Sequence, residues 1–169
     1  MLVPISDHLK NLRAKVGHGL LLVPSVTAFL YDGRGRILLV RHSEGGVWVA
    51  PGGSVEPNES PSDAVVRETW EETRLLVEPV RVAGVYGGPE FQVTYSNGDQ
   101  VTYLMTVFEC RALGGAMRPD GVETLEIGYF AESDLAAPNL PAWARVVLTH
   151  AFSERGRAHF QSPSWQPSQ

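Results

Sequence analysis

Apolar positions along the chain follow two different periods. Near the start, Ile5, Leu9, Leu12 and Val16 recur at helical spacing, with Lys10, Arg13 and Lys15 between them, and Gly17 and Gly19 end the run. This predicts an amphipathic helix over residues 1–18, packed against the domain or against a second copy of the chain. Val26, Ala28 and Leu30 then alternate with polar or small residues, which predicts a strand with one buried face. Asp32-Gly33-Arg34-Gly35 is turn chemistry, and the run Ile37–Val40 predicts a well-buried strand. A loop at Pro51-Gly52-Gly53 precedes a helix expected from Pro61 to Thr73, with Ser60 as its N-cap and Pro61 where a first-turn proline is tolerated.

Strand patterning returns from Leu76 to Cys110. Ser96-Asn97-Gly98-Asp99 lies between the β-rich runs Phe91–Tyr95 and Val101–Phe108, and Asn-Gly in that position signals a hairpin. Gly114-Gly115 and Pro119-Asp120-Gly121 are expected to be turns, Thr124–Phe130 a short strand, and Pro141–Arg155 a helix with Trp143, Val147 and Ala151 on one side. Many strands with few helices argue for α+β or α/β/α layers over a doubly wound parallel sheet. Residues 19–157 form the expected domain, and residues 158–169 a flexible tail without periodicity.

Composition narrows the function classes. A chain of 169 residues suits one domain. Lys plus Arg is 14 against 19 Asp plus Glu, a net charge of −5 with no basic block, which argues against gripping nucleic acid by bulk charge. The longest apolar stretch, Leu20–Leu30, is interrupted by Pro24, Ser25 and Thr27 and is too short to span a membrane. The first residues lack the basic head and apolar run of a secretory signal. The lone cysteine, Cys110, excludes an internal disulfide framework, fits a reducing, cytoplasmic setting, and is expected as a small buried residue of a strand. His8, His18, His42, His150 and His159 show no metal-ligand spacing and are expected in surface or packing roles.

The stretch with chemical content runs from Gly52 to Val77. Glu68, Glu71 and Glu72 are spaced i, i+3, i+4, within one arc of a helix, and Val66, Thr69, Trp70 and Thr73 are assigned to the opposite arc. Glu59 lies one loop earlier and Arg67 flanks the cluster. Such spacing alone is most often a solvated helix face. The context favours more. A Pro-Gly-Gly loop lets backbone carbonyls approach closely. A set of oxygen donors without His or Cys is what a hard cation such as Mg²⁺ or Mn²⁺ prefers.

This stretch resembles the signature of the Nudix hydrolases, with Gly53, Glu59, Arg67, Glu68, Glu71, Glu72 and Leu75 on the signature positions. The approach through Gly46-Val47-Trp48 and Pro51-Gly52-Gly53 is also similar, and the likeness covers roughly residues 20–155. Two positions depart: Thr69 replaces an aliphatic residue, and Arg74 stands where glycine is usual at the end of the helix. A left-handed C-cap there costs arginine on the order of 1 kcal/mol.

The resemblance implies an α/β/α sandwich with a mixed sheet, and a Mg²⁺- or Mn²⁺-dependent pyrophosphohydrolase. Its expected substrate is a nucleoside diphosphate linked to another moiety: a nucleoside triphosphate, ADP-ribose or a nucleotide sugar. The competing expectation is a silent nucleotide-binding module of the same fold. The resemblance further implies Glu68, Glu71 and Glu72, with the Gly52 carbonyl, as metal ligands, and Glu68 as first choice for activating water. Glu59 would act through water or orient the helix, and Arg67 would pair with a glutamate. Glu123, or Glu126 beside it, is a candidate later acid, and Arg41 a candidate phosphate contact. A homodimer is expected for such a domain. Tyr86, Tyr95, Asn97 and Trp48 are assigned to core, turn and packing roles.

Overall fold

The computed structural model describes residues 6–167; Ile5, placed in the first helix by its spacing, lies outside them. The elements are α1 (Asp7–Val16), β1 (Leu21–Leu30), β2 (Ile37–His42), β3 (Trp48–Val49), β4 (Gly52–Ser54), α2 (Pro61–Thr73), β5 (Leu75–Tyr86), β6 (Gln92–Thr94), β7 (Gln100–Gly115), β8 (Thr124–Phe130) and α3 (Ala142–Ser153). One sheet runs in the order β4-β1-β7-β5, with β6 also on β7, and a second runs β3-β2-β8. The β1–β7 pair is parallel and its neighbours are antiparallel, so the sheet is mixed.

Strand alternation sorts the core into two layers. Phe29, Ile37, Leu39, Ala83, Met105 and Val107 pack with Val147, Leu148 and Ala151 of α3. Their sequence neighbours Ala28, Leu30, Leu38 and Phe108 pack with Ala64 and Val65 of α2. Successive residues of a strand point to opposite faces, so the two helices cover opposite sides of the strands, and the architecture is an α/β/α sandwich.

Several boundaries differ from the sequence expectation. Gly114 and Gly115 do not turn the chain; they end β7, opposite Leu76 and Leu75 of β5. Phe91 belongs to a short 3₁₀ turn rather than to the hairpin strand, while the hairpin itself closes with Tyr95 N–H donating to the Asp99 carbonyl at 2.9 Å. The segment after α3 is not wholly loose: His159 bridges Gly84, donating to the Ala83 carbonyl (2.8 Å) and accepting from the Val85 N–H (2.9 Å). Helix α1 buries none of its described residues in the domain. It is tied down by polar contacts near its end, where Arg13 donates to the Gln100 carbonyl (2.8 Å) and His18 meets Asp99 (2.8 Å). Among the described residues no helix is long and apolar enough to cross a membrane.

Candidate active site

Helix α2 begins as its sequence dictates. The Ser60 hydroxyl accepts from the Asp63 N–H, and Pro61 occupies the first turn, where its missing donor is harmless. Its buried arc is Ala64, Val65, Thr69, Glu72 and Thr73. This corrects the expected division of the helix. Trp70 stands 42% exposed, whereas Glu72 is 2% exposed and sits among the buried residues. Thr69 fits the interior because its hydroxyl donates to the Val65 carbonyl at 2.7 Å, leaving no polar atom unpaired. Arg74 adopts the left-handed conformation of the missing glycine (φ 60°, ψ 20°), and its N–H closes the helix on the Trp70 carbonyl.

Arg67 organises the acids. Its guanidinium grips Glu59 through two hydrogen bonds of 2.8 and 2.9 Å and reaches Glu68 (2.8 Å), Glu71 (3.1 Å) and the Ser54 carbonyl (3.0 Å). Glu59 is therefore a brace between the loop and the helix, and Arg67 holds its carboxyl below the usual carboxylate range. Glu68 lies under the glycine loop. A Cβ on Gly53 would stand 2.4 Å from the Glu68 carboxyl carbon, so only glycine leaves room for that carboxylate. Burial, with Glu72 and Glu71 nearby, pushes the Glu68 carboxyl up to about 7 against the opposing pull of Arg67.

Glu72 accepts from the Gly52 N–H at 3.0 Å and contacts His42 Nε2 at 3.0 Å. Burial draws the His42 pKa down, but the hydrogen bond and charge of Glu72 outweigh it and raise the imidazole above its ordinary value. Glu123 comes from the loop before β8, where Asp120 Oδ1 accepts from three successive backbone N–H groups, those of Val122, Glu123 and Thr124. Its carboxyl is raised by partial burial and by the negative charges of Glu72, Asp120 and Glu71. The acids of α2 and Glu123 thus share one electrostatic neighbourhood.

His42 is the residue that sequence reasoning passed over. Strand parity carries the signal: His42 lies an even number of positions from Leu38 along β2, and Leu38 packs with α2. Arg41 belongs to the other face, directly opposite Glu126 of β8, and pairs with it at 2.5 Å. The candidate phosphate contact is thus engaged in a cross-strand ion pair, which also occupies Glu126, one of the two candidate later acids. Trp48 packs edge-on against Phe130, with ring centroids 5.0 Å apart, and Tyr86 is core. Cys110 is buried among the residues that back α2, and burial pushes its thiol up to about 12, which suits packing and not nucleophilic work.

The donor set of Glu68, Glu71, Glu72 and Glu123 is all oxygen and only partly neutralised by Arg67. That excess of negative charge in a half-buried site fits a hard divalent cation.

Comparison with known proteins agrees with this geometry. Residues 21–151 match the family model described as the NUDIX domain. A MutT-like protein of Streptomyces ambofaciens is 33% identical over 100 residues, 59% of this chain, and the match spans 58% of that relative's length. The crystal structure of a MutT protein from Methanosarcina mazei superimposes with a TM-score of 0.66 at 30% identity, covering 80% of this chain and 96% of that one. An ADP-ribose pyrophosphatase from Streptococcus suis gives 0.62 at 28% identity, covering 82% and 96%. A match over residues 21–151 that contains the whole glycine loop and acidic helix, on the same fold, makes this chain a member of the Nudix family.

Proposed function

We propose that this protein is a divalent-metal-dependent pyrophosphohydrolase that cleaves the diphosphate bridge of a small nucleoside diphosphate derivative. The observation that supports this reading best is the convergence beside the glycine loop of Glu68 and Glu71, both held by Arg67, with Glu72, held by the Gly52 N–H and His42. In this reading those three carboxylates, with the Gly52 carbonyl, hold Mg²⁺ or Mn²⁺. The bound cation would neutralise phosphate oxygens that otherwise repel an attacking water. Glu123, whose carboxyl is raised by partial burial and by the charges of Glu72, Asp120 and Glu71, takes the proton from that water or orients it. Arg67 and Glu59 keep the loop and the helix in register. His42 holds Glu72 in place from the strand side. The substrate class is drawn from the acidic balance of the chain and from its likeness to an ADP-ribose pyrophosphatase.

The test is product release from ADP-ribose, nucleotide sugars and nucleoside triphosphates, with and without millimolar Mg²⁺, in the wild type and in Glu71→Gln. Metal-dependent release of a nucleoside monophosphate, lost in the variant, is the expected result. Silence across the panel would instead mark a nucleotide-binding module.

A further inference from the structure

We propose that His150, Glu154 and His159 form a second metal site, of the class that pairs imidazole nitrogens with one carboxylate oxygen and takes Zn²⁺, on the face of the sheet opposite the acidic helix. One donor atom from each of the three residues lies within 4.8 Å of the others. His150 and Glu154 are one helical turn apart, at the end of α3 and just beyond it, and His159 comes from the segment that follows.

The chain holds this cluster together by contacts that do not depend on a metal. The His159 backbone is pinned to β5 by hydrogen bonds with Ala83 and Val85 of 2.8 and 2.9 Å. Gly84 makes that approach feasible, since a Cβ there would stand 3.1 Å from His159 Cβ and 2.7 Å from Tyr86 Cε2. Both imidazoles stack on the Tyr86 ring, and on each other with centroids 3.8 Å apart. His159 Nδ1 lies 3.2 Å from a Glu154 oxygen, and the Tyr86 hydroxyl lies 3.3 Å from His150 Nδ1, placing a fourth polar atom at the edge of the cluster. Of the neighbouring cations, Arg81 is committed to Glu109 at 2.6 Å and Arg155 lies over the Tyr31 ring.

Two nitrogens with one carboxylate are a borderline-soft set suited to Zn²⁺ and less so to Mg²⁺, which prefers oxygen. Metal–ligand bonds of about 2.0–2.2 Å place tetrahedral donors about 3.3 Å apart. To reach that spacing from within 4.8 Å, the rings would have to rotate out of the stack toward Glu154 when the ion binds. The bound ion would clip the chain beyond α3 to both the helix and β5, and so raise stability by mass action.

The experiment is a Zn²⁺ titration of the full chain in millimolar Mg²⁺, with Co²⁺ as a spectroscopic substitute. One equivalent of Zn²⁺ that Mg²⁺ does not displace is expected, together with visible Co²⁺ bands of a nitrogen-containing tetrahedral site. His150→Gln and His159→Gln should each weaken Zn²⁺ binding by about tenfold or more, while Glu72→Gln retains it. His159→Gln keeps both backbone hydrogen bonds to β5, and circular dichroism confirms that each variant is folded. Wild-type affinity for Zn²⁺ in either histidine variant overturns the proposal. So does a wild type that binds no Mg²⁺-resistant Zn²⁺, or Co²⁺ bands that show oxygen ligands alone.

Discussion

Helices α2 and α3 do similar packing work on opposite faces of the sheet, yet they gather polar side chains in different ways. Along α2, Arg67 bonds to Glu59, Glu68 and Glu71, all within eight residues of it in sequence. Along α3, the polar cluster depends on Tyr86, 64 positions from His150, and on a bridge between His159 and Gly84. The first arrangement is a local code, written as spacing in one loop and helix. The second exists only once β5, α3 and the following segment have come together. A local code survives in the sequence as a motif, whereas an assembled cluster leaves scattered residues with no common period.

The largest expected effect breaks the α2 side of this comparison. Glu72→Gln removes one of the proposed charged ligands at nearly unchanged shape, its amide oxygen keeping the Gly52 N–H while its NH2 turns to His42 Nε2. Turnover at saturating Mg²⁺ should fall by about a hundredfold or more, a size typical for the loss of one key electrostatic group. Steady-state rates on the preferred substrate check it, and near-normal turnover would refute the proposed role of the acidic face. The same variant should leave the α3 cluster untouched.

Gly53→Ala sharpens the point without removing a charge. The new methyl would meet the Glu68 carboxyl at 2.4 Å, at the same Oε1 oxygen that accepts from Arg67. Displacing a catalytic group by about 1 Å costs on the order of ten- to a hundredfold in rate. Turnover should therefore fall by that amount while the melting temperature moves little, a separation read by assay and thermal denaturation side by side.

This contrast also explains how much was legible beforehand. The bounds of α2 and β8 were readable because Ser60-Pro61 caps the one and turn residues flank the other. The gathering of Glu68 and Glu71 beside Arg67 was readable from helical spacing only together with the glycine loop and the likeness to the Nudix signature. The division of α2 into faces was not, because burying Glu72 needs the Gly52 N–H and His42, both from other elements. His42 was missed for the same reason, since its partner lies 30 residues away. Gly114-Gly115 misled because glycine marks turns on average, whereas here it ends a strand against β5. The His150–His159 stack had no signal in sequence at all, being the product of a long-range bridge.

A smaller effect, dependent on pH, tests the brace within the local code. The folded-state pKa of Glu59 is depressed by Arg67, so the unfolded chain binds its proton more readily. The pair therefore contributes stability above the ordinary carboxylate pKa, and that contribution is lost as pH falls through the lower, folded value. At neutral pH, Glu59→Gln should cost about 1 kcal/mol, since water screens part of the interaction. In acid, below the folded pKa, the variant and wild type should converge. Urea denaturation at both pH values measures the difference, and a constant gap would mean that packing, and not charge, carries the effect.

The smallest expected effect concerns the departure at the end of α2. Arg74 holds φ 60° and ψ 20°, the region glycine enters freely and other residues enter at a cost. Its side chain lines a shallow groove with Trp70 and Arg118, and its backbone N–H already closes the helix on Trp70. Arg74→Gly therefore removes strain without removing a helix hydrogen bond, but it also frees the unfolded chain, which offsets part of the gain. The net change should be a stabilisation of about 0.5 kcal/mol, or roughly one to two degrees in melting temperature for a chain of this size. Turnover should not change, because the left-handed cap that positions Glu71 and Glu72 is present with either residue. A gain in turnover would show instead that arginine displaces those acids, and the local code would then extend one residue beyond the helix.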